Sequence, residues 1–184
     1  MTVVRAVCDV GFDVGTARTV FPDVTERCST ALEIDEYVEH GGSVLLPAEV
    51  RLTRETPADA FDAWSTSAFF SSARLRTLLE EAAPGDLDAY PQPVLVAARP
   101  MWHLRIATVL DAVDLDASEL TLDSGGQVRF YGRLVWRASV LTRPAIFRIP
   151  QLHGQRFVTD AVAAAYLASG YTGLLVGGPK GRLG

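Results

Sequence analysis

The sequence predicts an α+β fold: a mostly antiparallel sheet with two principal helices, at about 71–83 and 159–169, packed on it. Three observations carry that expectation. The stretch HLRIATVLDAVDLDASEL (103–120) opens with strict alternation. Leu104, Ile106, Thr108 and Leu110 fall on one face and Arg105, Ala107, Val109 and Asp111 on the other, the two-residue repeat of a pleated strand. Two other stretches repeat at helical spacing instead, Leu75, Leu78, Leu79 and Ala82 in the first and Val162, Ala165 and Tyr166 in the second. Most of the remaining second half consists of short extended runs separated by Gly and Pro, as in an antiparallel meander.

In chain order, residues 2–10 read as a first strand, with β-branched Val3 and Val4, which Gly11 and Gly15 break into a turn-rich stretch. Phe21 and Pro22 mark a turn. Residues 28–40 fit either a short helix or a strand followed by a bend, with Glu33, Asp35, Glu36 and Glu39 accompanying both readings. Gly41 and Gly42 end that segment. Residues 44–46 and 50–52 read as short extended pieces interrupted by Pro47, and 55–64 as a polar link. Ser71 or Ser72 is placed to accept a backbone N–H at the start of the first helix, and Pro84 and Gly85 stop it.

Residues 90–98 read as a strand that the Arg99, Pro100 turn feeds into the long strand at 103. That strand is expected to be central, with its Leu104 face in the core and its second, mixed face partly covered. The thickening charge at Asp114, Asp116 and Glu119 ends it. Around Ser124, Gly125 and Gly126 the runs 120–122 and 128–130 form a hairpin. Residues 134–141 and 145–150 follow as strands, Pro144 placing the second at an edge or start. Thr159 is the expected N-cap of the last helix, Asp160 meets its dipole, and Gly170 closes it as the C′ residue. Residues 171–176 make a final strand.

Composition bounds the function. Of 184 residues 48% are hydrophobic and 21% charged, a globular balance, and the net charge of -5 has the wrong sign for a general nucleic-acid binder. No apolar run approaches a membrane span and no leader pattern precedes the first strand, so a cytoplasmic protein is expected, with neither nucleic acid nor membrane as partner. Cys8 and Cys28 do not make a disulfide framework or a zinc spacing. Two buried thiols in a reducing compartment are expected, and whether they pair stays open.

The three histidines, His40, His103 and His153, sit in separate elements, and no metalloprotease, nucleophile-elbow or phosphate-loop pattern occurs. Gly177, Gly178, Pro179 and Lys180 lack the spacing of a phosphate loop. Asp111, Asp114 and Asp116 read as solvated turn residues rather than metal ligands. No catalytic residue, metal or cofactor is expected. His103, beside Trp102, reads as a structural histidine, and an enzyme that pairs it with a nearby aspartate is the alternative. Trp64, Trp102 and Trp136 are expected to be at least half-buried. The residues singled out for partner binding are Glu33, Asp35, Glu36, Glu39, Trp64, Asp114 and Asp116, the carboxylates as an anionic surface and the tryptophan as an aromatic anchor.

The segment order of the second half resembles the eleventh family of bacterial immunity proteins, which belongs to polymorphic-toxin systems. The resemblance rests on VLDAVDLDASEL (109–120), a polar hairpin, PAIFRIP (144–150) and FVTDAVAAAYLASGYTGLLV (157–176), with FSSARLRTLL (70–79) upstream. Its matching elements are the cluster Asp111, Asp114, Asp116 and Ser118, the triplet Ile146, Phe147 and Arg148, and the passage from Ser169-Gly170 into Thr172-Gly173-Leu174. On this basis 1–176 is one domain, with 1–67 its variable part and 69–176 the family-like part, and 177–184 is a flexible tail. The resemblance implies a cytoplasmic, non-enzymatic α+β protein without cofactor that binds and neutralises a cognate protein toxin. Its signatures read as fold determinants, including a corner where Arg148 pairs with the aspartates. A regulatory or scaffold binding module is the alternative from another class.

Overall fold

A computed structural model of the chain describes residues 7–12, 22–24, 49–52, 62–65, 69–89, 92–96, 99–126, 128–152, 155–179 and 182–183. The strands of the first half are β1 (Val7–Phe12), β2 (Pro22–Val24), β3 (Glu49–Leu52), β4 (Ala63–Ser65) and β5 (Phe69–Ser71), followed by helix α1 (Ala73–Ala82), β6 (Leu87–Ala89), β7 (Val94–Val96) and β8 (Arg99–Ile106). The second half continues with β9 (Leu120–Leu122), β10 (Val128–Tyr131), β11 (Val135–Trp136), β12 (Ile146–Phe147), β13 (Arg156–Thr159), helix α2 (Asp160–Ser169), β14 (Leu174–Pro179) and β15 (Arg182–Leu183). The fold is α+β with largely antiparallel pairing, as expected; β3–β7 and β11–β15 are the parallel exceptions.

The larger sheet runs β2-β3-β7-β8-β5-β4, with β6 also on β8. β8 is its inner strand. It pairs with β7 through Arg99–Met101, with β5 through Trp102–Leu104 and with β6 through Leu104–Ile106. Alternation placed this strand correctly in the core but not its ends. The ladder starts at Arg99 and stops at Ile106, because beyond it the main chain is bonded by loops: Ala107 N–H donates to Asp86 O, Leu110 N–H to Arg148 O, and Arg148 N–H to Thr108 O. Residues 107–111 still alternate between exposed and half-buried, so the period reports which way side chains point and not how far the ladder runs.

The smaller sheet, β12-β13-β1-β14, separates two cores. Ile146 and Val158 point into one, with Phe69, Leu104 and Ile106 of the larger sheet and Leu75, Leu79, Val162 and Tyr166 of the helices. Phe147 and Phe157, one residue along, point into the other, beside Val113, Leu134 and Trp136. The strand repeat of two is what splits adjacent residues between the cores. In the second core Trp136 meets Phe157 edge-on at 5.1 Å and Phe147 at 6.0 Å, and the two phenyl rings stack at 5.9 Å. Trp136 is buried and Trp102 half-buried, the latter beneath the Arg76 guanidinium.

Both expected helices form and pack on one another. In α1 the Ser72 hydroxyl caps the first turn by accepting Leu75 N–H at 3.3 Å, and Leu75 and Leu79 are buried. In α2 Gly170 is left-handed at φ 69°, as a C′ glycine should be. Thr159 stands at the N-cap position but its hydroxyl does not cap the helix. It accepts Ala145 N–H at 3.0 Å instead, so a buried amide on the approach to β12 takes the oxygen that helix rules had assigned to α2. The hairpin β9–β10 forms around Gly126, φ 78°.

Other expectations are corrected. The run 134–141 shortens to β11, since Arg137 N–H turns to Ala112 O and Val140 N–H closes a turn on Arg137 O. Pro22 begins a strand rather than a turn, and β1 continues through Gly11 to Phe12. The last strand starts at Leu174 and reaches Pro179, where a tail was expected. Antiparallel partners on β1 and the pairing of β15 with β11 occupy those residues. The ambiguous segment 28–40, with Cys28, lies outside the described residues.

Candidate partner-binding surface

Asp62, which pattern alone left inside a polar link, is the organising residue at the start of β4. It is 1% exposed, and its carboxylate accepts Arg74 Nε at 2.5 Å, Arg74 Nη2 at 2.8 Å, the Ser72 hydroxyl at 2.8 Å and Thr172 N–H at 3.2 Å. Its own N–H and that of Ala63 both donate to Thr172 O at 3.0 Å. Burial is the largest influence on its pKa and raises it. The hydrogen bonds from Arg74, Ser72 and Thr172, with the Arg74 charge, outweigh burial and hold the group below its ordinary value. This clamp explains much of the passage 169–174. The Ser169 hydroxyl donates to Tyr166 O at 2.6 Å and accepts Tyr171 N–H at 3.1 Å, while the Tyr166 hydroxyl both donates to and accepts from the Leu174 main chain. Trp64, one of the proposed partner-binding residues, is thereby positioned through its backbone, which pairs with Phe70 of β5. Sequence reasoning missed Asp62 because its partners lie 10, 12 and 110 residues away.

Asp114 and Asp116 lie on the turn after the long strand. Asp114 is half-buried and structural: its carboxylate accepts Ala117 N–H at 3.1 Å, its carbonyl accepts the Ser118 hydroxyl at 2.5 Å, and its N–H donates to Val135 O at 2.8 Å. Ser118 Oγ in turn accepts Val135 N–H. Asp116 is exposed at the tip of this anchored turn. The neighbouring acids are matched by arginines: Asp111 by Arg137 at 2.7 Å, Glu119 by Arg133 at 3.0 Å and Asp123 by Arg129 at 3.1 Å. Arg148 was the expected partner of the aspartates and is not. Arg137 takes Asp111, and the Asp114 carboxylate is turned inward to its own loop. Glu33, Asp35, Glu36 and Glu39 lie outside the described residues. Charge is nevertheless unevenly shared along the chain: residues 1–68 hold 12 acidic and 5 basic side chains, residues 69–184 hold 10 and 12.

His103 sits in β8 at 2% exposure, its ring edge-on to Phe70 at 5.6 Å. Desolvation, reinforced by the Arg105 charge, pushes its pKa down to about 4, so it is neutral near pH 7. A cavity of about 20 Å³, room for about one water, lies elsewhere in the first core among Phe69, Ile106, Ile146, Val158, Val162 and Tyr166. His40 and His153 lie outside the described residues. Among the described residues no three His, Cys, Asp or Glu side chains gather around a metal-sized position, and no helix is long and apolar enough to cross a membrane.

No curated protein matches this chain. The model of a family described as an immunity protein family, Imm11, matches residues 24–176, starting well ahead of residue 69, from which the resemblance had been drawn. That span includes both helices, the inner strand β8, the Asp62 clamp and the turn bearing Asp114 and Asp116. The chain belongs to the Imm11 immunity protein family.

Proposed function

We propose that this protein binds a cognate protein toxin of a polymorphic-toxin system in the cytoplasm and neutralises it as an inhibitor, without catalysis, cofactor, nucleic acid or membrane. The observation that carries the reading is the family match over residues 24–176. The charge partition supports a mechanism. The excess of carboxylates in residues 1–68, with Glu33, Asp35, Glu36 and Glu39 at its centre, meets a basic cleft on the toxin and speeds association, while Trp64 and Asp116, the latter on the turn that Asp114 anchors, complete the contact. The buried, neutral His103, away from the cavity, favours this reading over one in which it works as an acid or base with an aspartate.

Co-expression with the adjacent toxin gene tests the function: growth is restored and the two proteins co-purify. Rescue without co-purification would defeat direct neutralisation, and co-purification without rescue would leave a binding module of another kind. The mechanism is tested by measuring toxin affinity between low and physiological ionic strength. A steep fall is expected, and an affinity indifferent to salt rules out the acidic contact.

A further inference from the structure

We propose that Arg148, with Val109 beside it, is an anchor that grips an acidic side chain of the toxin; this rests on the immunity reading above and names a contact within it. The main chain of Arg148 is fixed on both sides, its N–H donating to Thr108 O at 3.0 Å and its carbonyl accepting Leu110 N–H at 2.9 Å, across a bridge to Val109. The side chain is half-buried, and its Nε is shut off from solvent with no hydrogen-bond partner among the described residues. Arg74, Arg76, Arg105, Arg129, Arg133, Arg137 and Arg143 each hold a carboxylate, and Arg148 is not among them. A guanidinium does not deprotonate, and Nε is its one buried, unpartnered atom, so the packed stem holds a fixed positive charge at its tip with no carboxylate of the described residues on it.

Two features say what completes the site. A toxin segment bearing Asp or Glu pairs its carboxylate with the guanidinium tip, since only the Nε of Arg148 is closed off. Val109, across the bridge from Arg148, is 49% exposed and gives that segment an apolar rest. Arg137 and Arg143, earlier in the chain, already have Asp111 and Asp86, whereas Arg148 has no carboxylate among the described residues, so its charge selects an anion. An arginine held by its scaffold beside an exposed apolar side chain is of the kind that interface hot spots favour. The acidic first part of the chain then governs how fast the toxin arrives, and Arg148 how long it stays.

The experiment measures toxin association and dissociation, growth rescue and thermal midpoint for the full chain carrying Arg148→Met, Arg148→Glu or Val109→Asp. Arg148→Met keeps the packed stem and removes the orphan donor, so its midpoint stays at or above that of the unsubstituted protein. Its dissociation rate is expected to rise about tenfold with little change in association. Arg148→Glu is expected to weaken binding about tenfold further and to abolish rescue, because it sets a carboxylate against a carboxylate. Val109→Asp weakens binding in the same direction. Binding and rescue by both Arg148 variants within twofold of the unsubstituted protein would overturn the anchor, and equal losses for Met and Glu would overturn its acidic partner. If the unsubstituted protein neither binds nor rescues, it is the immunity reading that fails.

Discussion

Asp86 and Arg143, 57 residues apart, form a two-pronged pair in which Nη1 reaches Oδ2 at 2.9 Å and Nη2 reaches Oδ1 at 2.5 Å. The carboxylate is fully buried while the guanidinium is half exposed. The same carboxylate accepts the Thr108 hydroxyl at 2.6 Å and Ile146 N–H at 2.9 Å, so one side chain ties the turn after α1, the end of the long strand and the start of β12. Asp86→Ala strips three groups of their acceptor, one of them the buried Ile146 amide. A loss of about 3 kcal/mol is expected, read as a lower urea midpoint at unchanged slope. A loss below about 1 kcal/mol would show that water replaces the carboxylate at little cost.

His103 makes stability depend on pH. Its folded pKa, about 4, lies below the unfolded value of 6.5, so the unfolded chain binds the proton first as pH falls. Stability is full above pH 6.5 and declines toward pH 4, by on the order of 3 kcal/mol for this group, then levels. His103→Leu should flatten that window in a urea series, and a His103 imidazole seen by NMR to titrate near 6.5 would contradict the assigned burial.

The Asp62 clamp acts in a lower window. Its folded pKa lies below the ordinary 3.8, so its contribution is complete above that value and is lost as pH falls further through the folded pKa. Asp62→Asn should remove the part of acid unfolding that lies below pH 3.8 and leave the His103 window intact. If acid unfolding of Asp62→Asn overlays that of the unsubstituted protein below pH 3.8, the clamp is not the group that titrates there.

Gly173 and Gly126 separate close approach from backbone preference. Both have positive φ, 100° and 78°, but a Cβ on Gly173 would stand 2.1 Å from Ala63 O, whereas a Cβ on Gly126 meets nothing within 4 Å. Gly126→Ala should cost about 1 kcal/mol, the ordinary price of a left-handed alanine. Gly173→Ala must push the loop off β4 and open the Asp62 clamp, so thermal unfolding should show a loss several times larger. Equal losses would mean that the loop shifts freely.

Much of the fold was legible in the local pattern. Ser72, Leu75 and Leu79 specified α1, Gly170 the end of α2, and Gly126 the hairpin, because each acts through neighbours a few residues away. Of the partner-binding residues, Asp114 shows how the reading stops short. Its place at a turn was visible, but not that the strand stops at Ile106 or that Asp114 bonds Ala117 and β11, and only Asp116 of that pair is left facing solvent. Thr159 shows the same limit, its hydroxyl diverted from the helix to Ala145.

By itself, then, the order of residues determined which segments are helical, which faces are apolar, the α+β class and the family likeness, since periodicity and capping depend on distances of one to four residues along the chain. Only the tertiary structure decided which charges are paired. It buried Asp62 and Asp86 under arginines, gave Asp111 to Arg137 and left Arg148 without a carboxylate among the described residues. The physical reason is that an ion pair depends on separation in space, and here its partners stand up to 57 residues apart with nothing between them in sequence to announce the match.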